Sequence, residues 1–287
     1  MATAEVFGTE VFGRVSHAIV CPPGKNLAAA AAIGVPDDTR AAAQHQKYVE
    51  ALKQCGVEVT TIVPDPLFPN ACLVGNMAVV TEYLAVIGNF NNHSPRQGEQ
   101  KSVASALAGD KFLKFITAPG LLDGDDVLRI RNHFYIGLSE YTNQEGAAQL
   151  AFFLQEFGYE VTVLEQSPEN VVRLNSAAVW LGHNSLLVRE ELARNFAFLG
   201  FDKIIVPHRE RGAARALVIN GTLLLPAGYA ETAAAVREVA TSVIELNVSE
   251  FEKIGGGLKS LSLCLPKIAK SGSVALPDLI RRQKSVA

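Results

Sequence analysis

Val127-Leu128-Arg129-Ile130-Arg131-Asn132-His133-Phe134-Tyr135-Ile136-Gly137, followed by residues 146–157, Gly158 and then Tyr159-Glu160-Val161-Thr162-Val163-Leu164, decides the fold class of this chain. Residues 127–130 and 133–137 are short apolar runs on either side of Arg131-Asn132, the pattern of a tight hairpin. Residues 146–157 carry apolar side chains at helical spacing, Gly158 supplies the left-handed stop, and the β-branched run that follows predicts a further strand. The unit is strand, strand, helix, strand.

The same phrase recurs. Residues 41–55 predict a helix, Gly56 its stop and residues 57–63 a strand; Cys55-Gly56-Val57-Glu58-Val59-Thr60 nearly repeats Phe157-Gly158-Tyr159-Glu160-Val161-Thr162. Residues 189–199, Gly200 and 203–206 suggest a third copy. Further hairpins are predicted for 78–81 with 84–88, and for 217–220 with 223–225 around Gly221-Thr222. A ββαβ unit of about fifty residues leaves room for about five copies. No Pro-, Gly- or Ser-rich linker divides the chain, so residues 1–287 read as one α/β domain with internal pseudo-symmetry. The competing reading is an ordinary α/β domain whose helix stops merely look alike.

Composition excludes several classes of function. Apolar residues make up 48% of the chain and charged residues 19%, the balance of a compact protein. A formal net charge of −3, without a Lys/Arg run, gives no case for nucleic acid. The longest apolar runs, 27–33 and 150–154, are too short to span a bilayer. The N-terminal stretch contains Glu5 and Glu10 and lacks the basic-then-apolar order of a secretory signal. Cys21, Cys55, Cys72 and Cys264 are scattered, as expected of reduced thiols in the cytoplasm. The six histidines show no metal-ligand spacing, so neither a metal nor another cofactor is expected. His45 reads as a solvated helix position, and His93 and His208 as loop residues.

Leu122-Asp123-Gly124-Asp125-Asp126-Val127-Leu128 sets three carboxylates among apolar residues. Buried carboxylates are costly unless hydrogen-bonded or met by a cation, so this stretch predicts the acidic wall of a small-molecule site. Thr142-Asn143-Gln144-Glu145 has the form of a capping box with Thr142 at the N-cap. Gly255-Gly256-Gly257-Leu258-Lys259-Ser260 fails as a phosphate loop, because its lysine is displaced and a strand rather than a helix follows. Lys259 and Ser260, as neighbours on an extended strand, point to opposite faces and form no dyad, whereas Ser260, Ser262 and Cys264 share a face.

These segments, together with Gln44-His45-Gln46-Lys47-Tyr48-Val49, residues 134–147, 206–220 and 249–263, resemble the dimethylarginine dimethylaminohydrolases of the pentein (arginine deiminase) superfamily over nearly the full length. The resemblance implies a five-bladed β/α-propeller of ββαβ units around a central polar channel. It also implies metal-free hydrolysis of methylated arginine by a cysteine nucleophile and a histidine acid/base, with carboxylates clasping the guanidinium and arginines holding the substrate carboxylate. Carried over by position, the cysteine corresponds to Ser260 and the histidine to Arg173. The acidic pair of the Phe-Val-Glu-Asp phrase corresponds to Gly75-Asn76, and one arginine to Tyr141. Asp126 survives. The substrate-binding candidates are Asp126, Asp123, Asn76, Asn70, Arg96, Tyr141 and Arg215.

A serine hydroxyl needs an activating base to act as nucleophile, and a guanidinium does not serve as one. The expectation is therefore a pseudoenzyme that binds an amino-acid-like ligand or a partner, with homodimerisation open. Arg173 also has a structural reading, in which it pairs with Asp125 or Asp126 and fills the vacated site. The alternative function is a repurposed hydrolase or lyase acting on a guanidino or other amino-acid-derived metabolite. Ser260 or Cys264 would be its nucleophile, although Cys264 lies about 13 Å further along an extended strand at roughly 3.3 Å per residue.

Overall fold

The computed structural model describes residues 14–91, 94–165 and 173–267. They form five three-stranded sheets. The chain begins in β1 (Val15–Val20), crosses over through α1 (Asp38–Gln54) and returns in β2 (Glu58–Thr61). The next sheet holds β3 (Ala78–Val80), β4 (Leu84–Ile87), α2 (Gln100–Leu107) and β5 (Phe112–Phe115). It is followed by β6 (Val127–Ile130), β7 (His133–Gly137), α3 (Gln144–Glu156) and β8 (Glu160–Leu164). A short α4 (Leu174–Ala177) leads into β9 (Ala178–Gly182) and β10 (Ser185–Arg189), and α5 (Glu190–Ala193) leads towards β11 (Asp202–Val206). The last full unit is β12 (Leu217–Ile219), β13 (Thr222–Pro226), α6 (Ala230–Arg237) and β14 (Val243–Leu246). Finally, α7 (Ser249–Glu252) leads to β15 (Ser262–Pro266).

In each sheet the first two strands are antiparallel, and the third lies parallel to the second. The ring closes because β15 supplies the first strand of the sheet that β1 and β2 began. A cavity of about 260 Å³ on the central axis is lined by all five first strands, through Ala78, Val127, Val179, Leu217 and Leu263 among others. This is the expected five-bladed propeller, and the cavity is its channel.

Local sequence explains the repeat. Gly56 (φ 76°) and Gly158 (φ 80°) occupy the left-handed conformation that ends α1 and α3. In α1, Ala41, His45, Tyr48 and Leu52 form a buried stripe at helical spacing. His45 is therefore a core residue and not a solvated one; burial pulls its imidazole down to about 4, opposed by a hydrogen bond to the Cys21 backbone. The hairpin 217–226 turns at Asn220 (φ 48°) and Gly221 (φ 87°), one residue earlier than expected.

Two other expectations shift. Residues 189–199 are not one helix: α5 stops at Ala193, and the Asn195 side chain accepts a hydrogen bond from Ala197 N, opening a separate 3-10 turn at Phe196–Phe198. Asn143, not Thr142, caps α3, accepting from Gly146 N at 2.9 Å. The hydroxyl of Thr142 is engaged elsewhere, by Asp126. His93 lies outside the described residues.

Candidate active site

Five short helical turns stand at equivalent places, each just before the first strand of a sheet: Val74–Asn76, Gly124–Asp126, Leu174–Ala177, His208–Arg215 and Leu258–Leu261. Neighbouring turns pack on one another at one end of the channel. Asn76, Asp126 and Ser260 lie on three of them, Arg215 ends a fourth, and Asp123 and Arg173 are N-cap residues of two. The repeat thus delivers residues far apart in sequence to one rim.

Asp123, Asp125 and Asp126 are all buried. The Arg173 guanidinium is set among them, with Nη2 2.5 Å from Asp123 Oδ1, Nε 2.9 Å from Asp126 Oδ1 and Nε 3.6 Å from Asp125 Oδ2. Ser139 and Thr142 hydroxyls each donate to Asp126 Oδ2 at 2.7 Å, and Ser176 Oγ donates to Asp125 Oδ2 at 2.7 Å. The Tyr141 ring covers the guanidinium, 4.6 Å from its central carbon. Burial works against the charge on Arg173, but the three carboxylates outweigh it and hold its proton more firmly than usual. Burial pushes Asp126 up to about 6; Arg173 pulls it down, Asp123 pushes it up, and the two hydroxyls oppose the rise.

Arg96 flanks this cluster. Its Nε donates to Glu99 at 2.7 Å, its Nη2 to Leu73 O at 3.2 Å, and its Nη1 is 4.0 Å from Asp123. Asn70 is half-buried one turn before Leu73 and takes no part in these bonds. Asn76 is buried with Oδ1 unpartnered.

Gly75 packs directly on the Ser260 turn. A Cβ at Gly75 would lie 2.3 Å from Lys259 O and 3.0 Å from Ser260 Cα, so this backbone admits no side chain there. Ser260 is buried in the 3-10 turn Leu258–Leu261 and not on β15, so it does not share a strand face with Ser262 and Cys264. Among the described residues, Ser260 Oγ has no hydrogen-bond partner. Lys259 instead sends Nζ into the channel, where it donates to Ala178 O at 2.6 Å; burial lowers its ammonium to about 7, against the pull of Asp125. Ser262 Oγ is bonded to Tyr48 Oη (2.6 Å), and Cys264 is pushed up to about 11 by burial.

The sequence reading missed Ser139, Thr142, Ser176 and Glu99 as partners of the charged residues. Their only sequence signal is proximity to a strand end or to an arginine. Arg215 sits apart from the acidic cluster, in a second pocket with Arg189.

A dimethylarginine dimethylaminohydrolase from Pseudomonas aeruginosa is 32% identical over 254 residues, spanning 86% of this chain and 98% of the relative. The chain belongs to the dimethylarginine dimethylaminohydrolase family. A cysteine-to-serine variant of the Pseudomonas aeruginosa enzyme, complexed with citrulline, superposes with a TM-score of 0.82 at 31% identity, over 88% of this chain and all of that one. The N-terminal domain of ArgZ, a cyanobacterial arginine dihydrolase, has the same fold at 20% identity, with a TM-score of 0.77 over 88% of this chain and 98% of that domain. No family model matches the chain. In this member of the dimethylarginine dimethylaminohydrolase family the acidic cluster is thus filled by a guanidinium of the chain itself.

Proposed function

We propose that this dimethylargininase-like chain, one pentein domain over residues 1–287, binds an amino-acid-like ligand or a partner and does not hydrolyse methylarginine. The observation that carries the reading is Arg173. Its guanidinium takes up Asp123, Asp125 and Asp126, the last being the carboxylate that, by resemblance, survives from the family's guanidinium-binding set. A free methylarginine would have to displace a cation tethered to the same chain. At the nucleophile position Ser260 Oγ is hydrogen-bonded to no base among the described residues. Losing acid/base help alone costs on the order of 10²- to 10⁴-fold in rate.

The amino-acid-like ligand class rests on the Pseudomonas aeruginosa relative, which holds citrulline when its cysteine is serine. The free cysteines accord with the cytoplasm. The repurposed-hydrolase reading would need Cys264 or Ser260 to be activated, and Cys264 is a partly buried thiol whose ionisation its surroundings disfavour.

The test is citrulline release from dimethylarginine and from arginine by the full chain and by Ser260→Ala. Both proteins should match the protein-free blank. Steady citrulline production by the wild type, abolished in Ser260→Ala, would overturn the proposal.

A further inference from the structure

On the same rim, beside the acidic cluster, a separate pocket of about 570 Å³ is lined by Arg189, Arg211, Arg215, Lys253, Tyr229 and Glu252 among others. Arg189, at the end of β10, is only 6% exposed, yet among the described residues its side chain makes a single hydrogen bond, from Nε to the Arg211 carbonyl at 3.0 Å. Arg215 donates from Nη1 to Gly256 O at 3.0 Å, and its Nε is buried without a partner. Neither arginine has a carboxylate within ion-pair distance among the described residues.

The other charges of the pocket are already committed. Arg211 pairs with Glu191 at 3.5 Å and Lys253 with Glu250 at 2.7 Å. Glu252, the acidic wall residue, accepts from Tyr229 Oη at 2.7 Å. Burial, followed by the fields of Arg215 and Arg211, lowers Arg189 to about 10, against the pull of Glu191 and Asp125. Two guanidinium groups, one of them buried, thus line one cavity with no ion pair of their own among the described residues, while the carboxylate of the wall, Glu252, is hydrogen-bonded to Tyr229. A buried charge without a counter-charge is costly, and an anion in the cavity would relieve both terms at once. Arginine forks match the two oxygens of carboxylate and phosphate groups, and the volume suits a small metabolite.

We infer that the Arg189–Arg215 pocket is a binding site for a small metabolite carrying a carboxylate or phosphate group, distinct from the acidic cluster around Arg173. This inference does not rest on whether the chain hydrolyses methylarginine. The site binds by charge and shape, and Tyr229 Oη lines its wall as a neutral hydroxyl.

The experiment is calorimetric titration of the full chain with inorganic phosphate and, separately, with succinate, at matched ionic strength, alongside thermal melting with sodium chloride as the reference salt. Saturable binding of at least one of the two is expected, weakened about ten-fold or more in Arg215→Gln. Phosphate alone points to a phosphorylated ligand, and succinate alone to a carboxylate ligand. Arg189→Gln should abolish binding; should that variant not fold, Arg215→Gln, whose side chain is less buried, decides. Absence of saturable binding for both anions, or equal affinity in wild type and Arg215→Gln, overturns the proposal.

Discussion

Two charged clusters share one rim of the propeller, and they are opposites. Around Arg173, one guanidinium meets three buried carboxylates and an aromatic lid, so the positive charge has counter-charges at ion-pair distance. Around Arg189 and Arg215, two guanidinium groups line a cavity with no carboxylate within ion-pair distance among the described residues. Both clusters use the same residue type at neighbouring turns. The first has the electrostatics of a closed site and the second those of an open one.

The largest expected effect comes from breaking the closed cluster. Arg173→Ala leaves three buried carboxylates facing one another and should cost about 3–5 kcal/mol of stability at pH 7, the range for removing one partner of a buried ion pair. The loss should shrink at pH 5, where Asp126, raised to about 6, takes up a proton. Millimolar arginine or guanidinium should raise the melting temperature of Arg173→Ala more than that of the wild type, because it can enter the vacated place. Equal shifts in both proteins would mean that the cluster does not act as a guanidinium clamp.

Next in size is the pH dependence of Asp126. Its folded-state value, raised from 3.8 to about 6, means that between these values the folded protein holds a proton that the unfolded chain has lost. Its contribution to stability is therefore greatest at low pH and declines as pH rises from about 4 to about 6. The total change is on the order of 2–3 kcal/mol. Asp126→Asn should flatten that part of the stability profile in denaturant titrations at pH 4, 5, 6 and 7.

Gly75→Ala should cost about 1–3 kcal/mol, as overpacking does, because its Cβ would meet the Lys259 carbonyl and push the Ser260 turn away. The smallest effect is expected in the open cluster. Arg189→Leu, in buffer free of phosphate and carboxylate, should change stability by less than about 1 kcal/mol or increase it, since it removes an unanswered buried charge. A loss as large as that of Arg173→Ala would show that the two clusters are equally paired, and the contrast between them would fail.

Much of this architecture was legible beforehand, for local reasons. The hairpin at residues 127–137 and the glycine stops after α1 and α3 depend on turn chemistry and side-chain period, which act over a few residues. The blade built from β1, β2 and β15 was not legible, because its first strand arrives from the far end of the chain. His45 looked polar-faced in sequence, but it joins the buried stripe of α1 because that helix packs on Phe251 and its neighbours. Thr142 looked like a cap, but a carboxylate sixteen residues away holds its hydroxyl.

The candidate site divides in the same way. Three close-spaced carboxylates announced a cation site from sequence, and both Arg173 and its pairing with Asp125 or Asp126 could be named as one reading. That Arg173 also reaches Asp123, and that Tyr141 lies over it, depends on where five equivalent turns meet. The Arg189–Arg215 pocket had no sequence signature beyond the two arginines, one ending β10 and the other ending the turn before β12. Residue type and local period by themselves determined the ββαβ repeat and the acidic stretch, and the resemblance of ordered segments pointed to the family. Which charges are answered and which are left open was decided only by the closed ring, because pairing across the rim depends on distances set when non-adjacent segments pack.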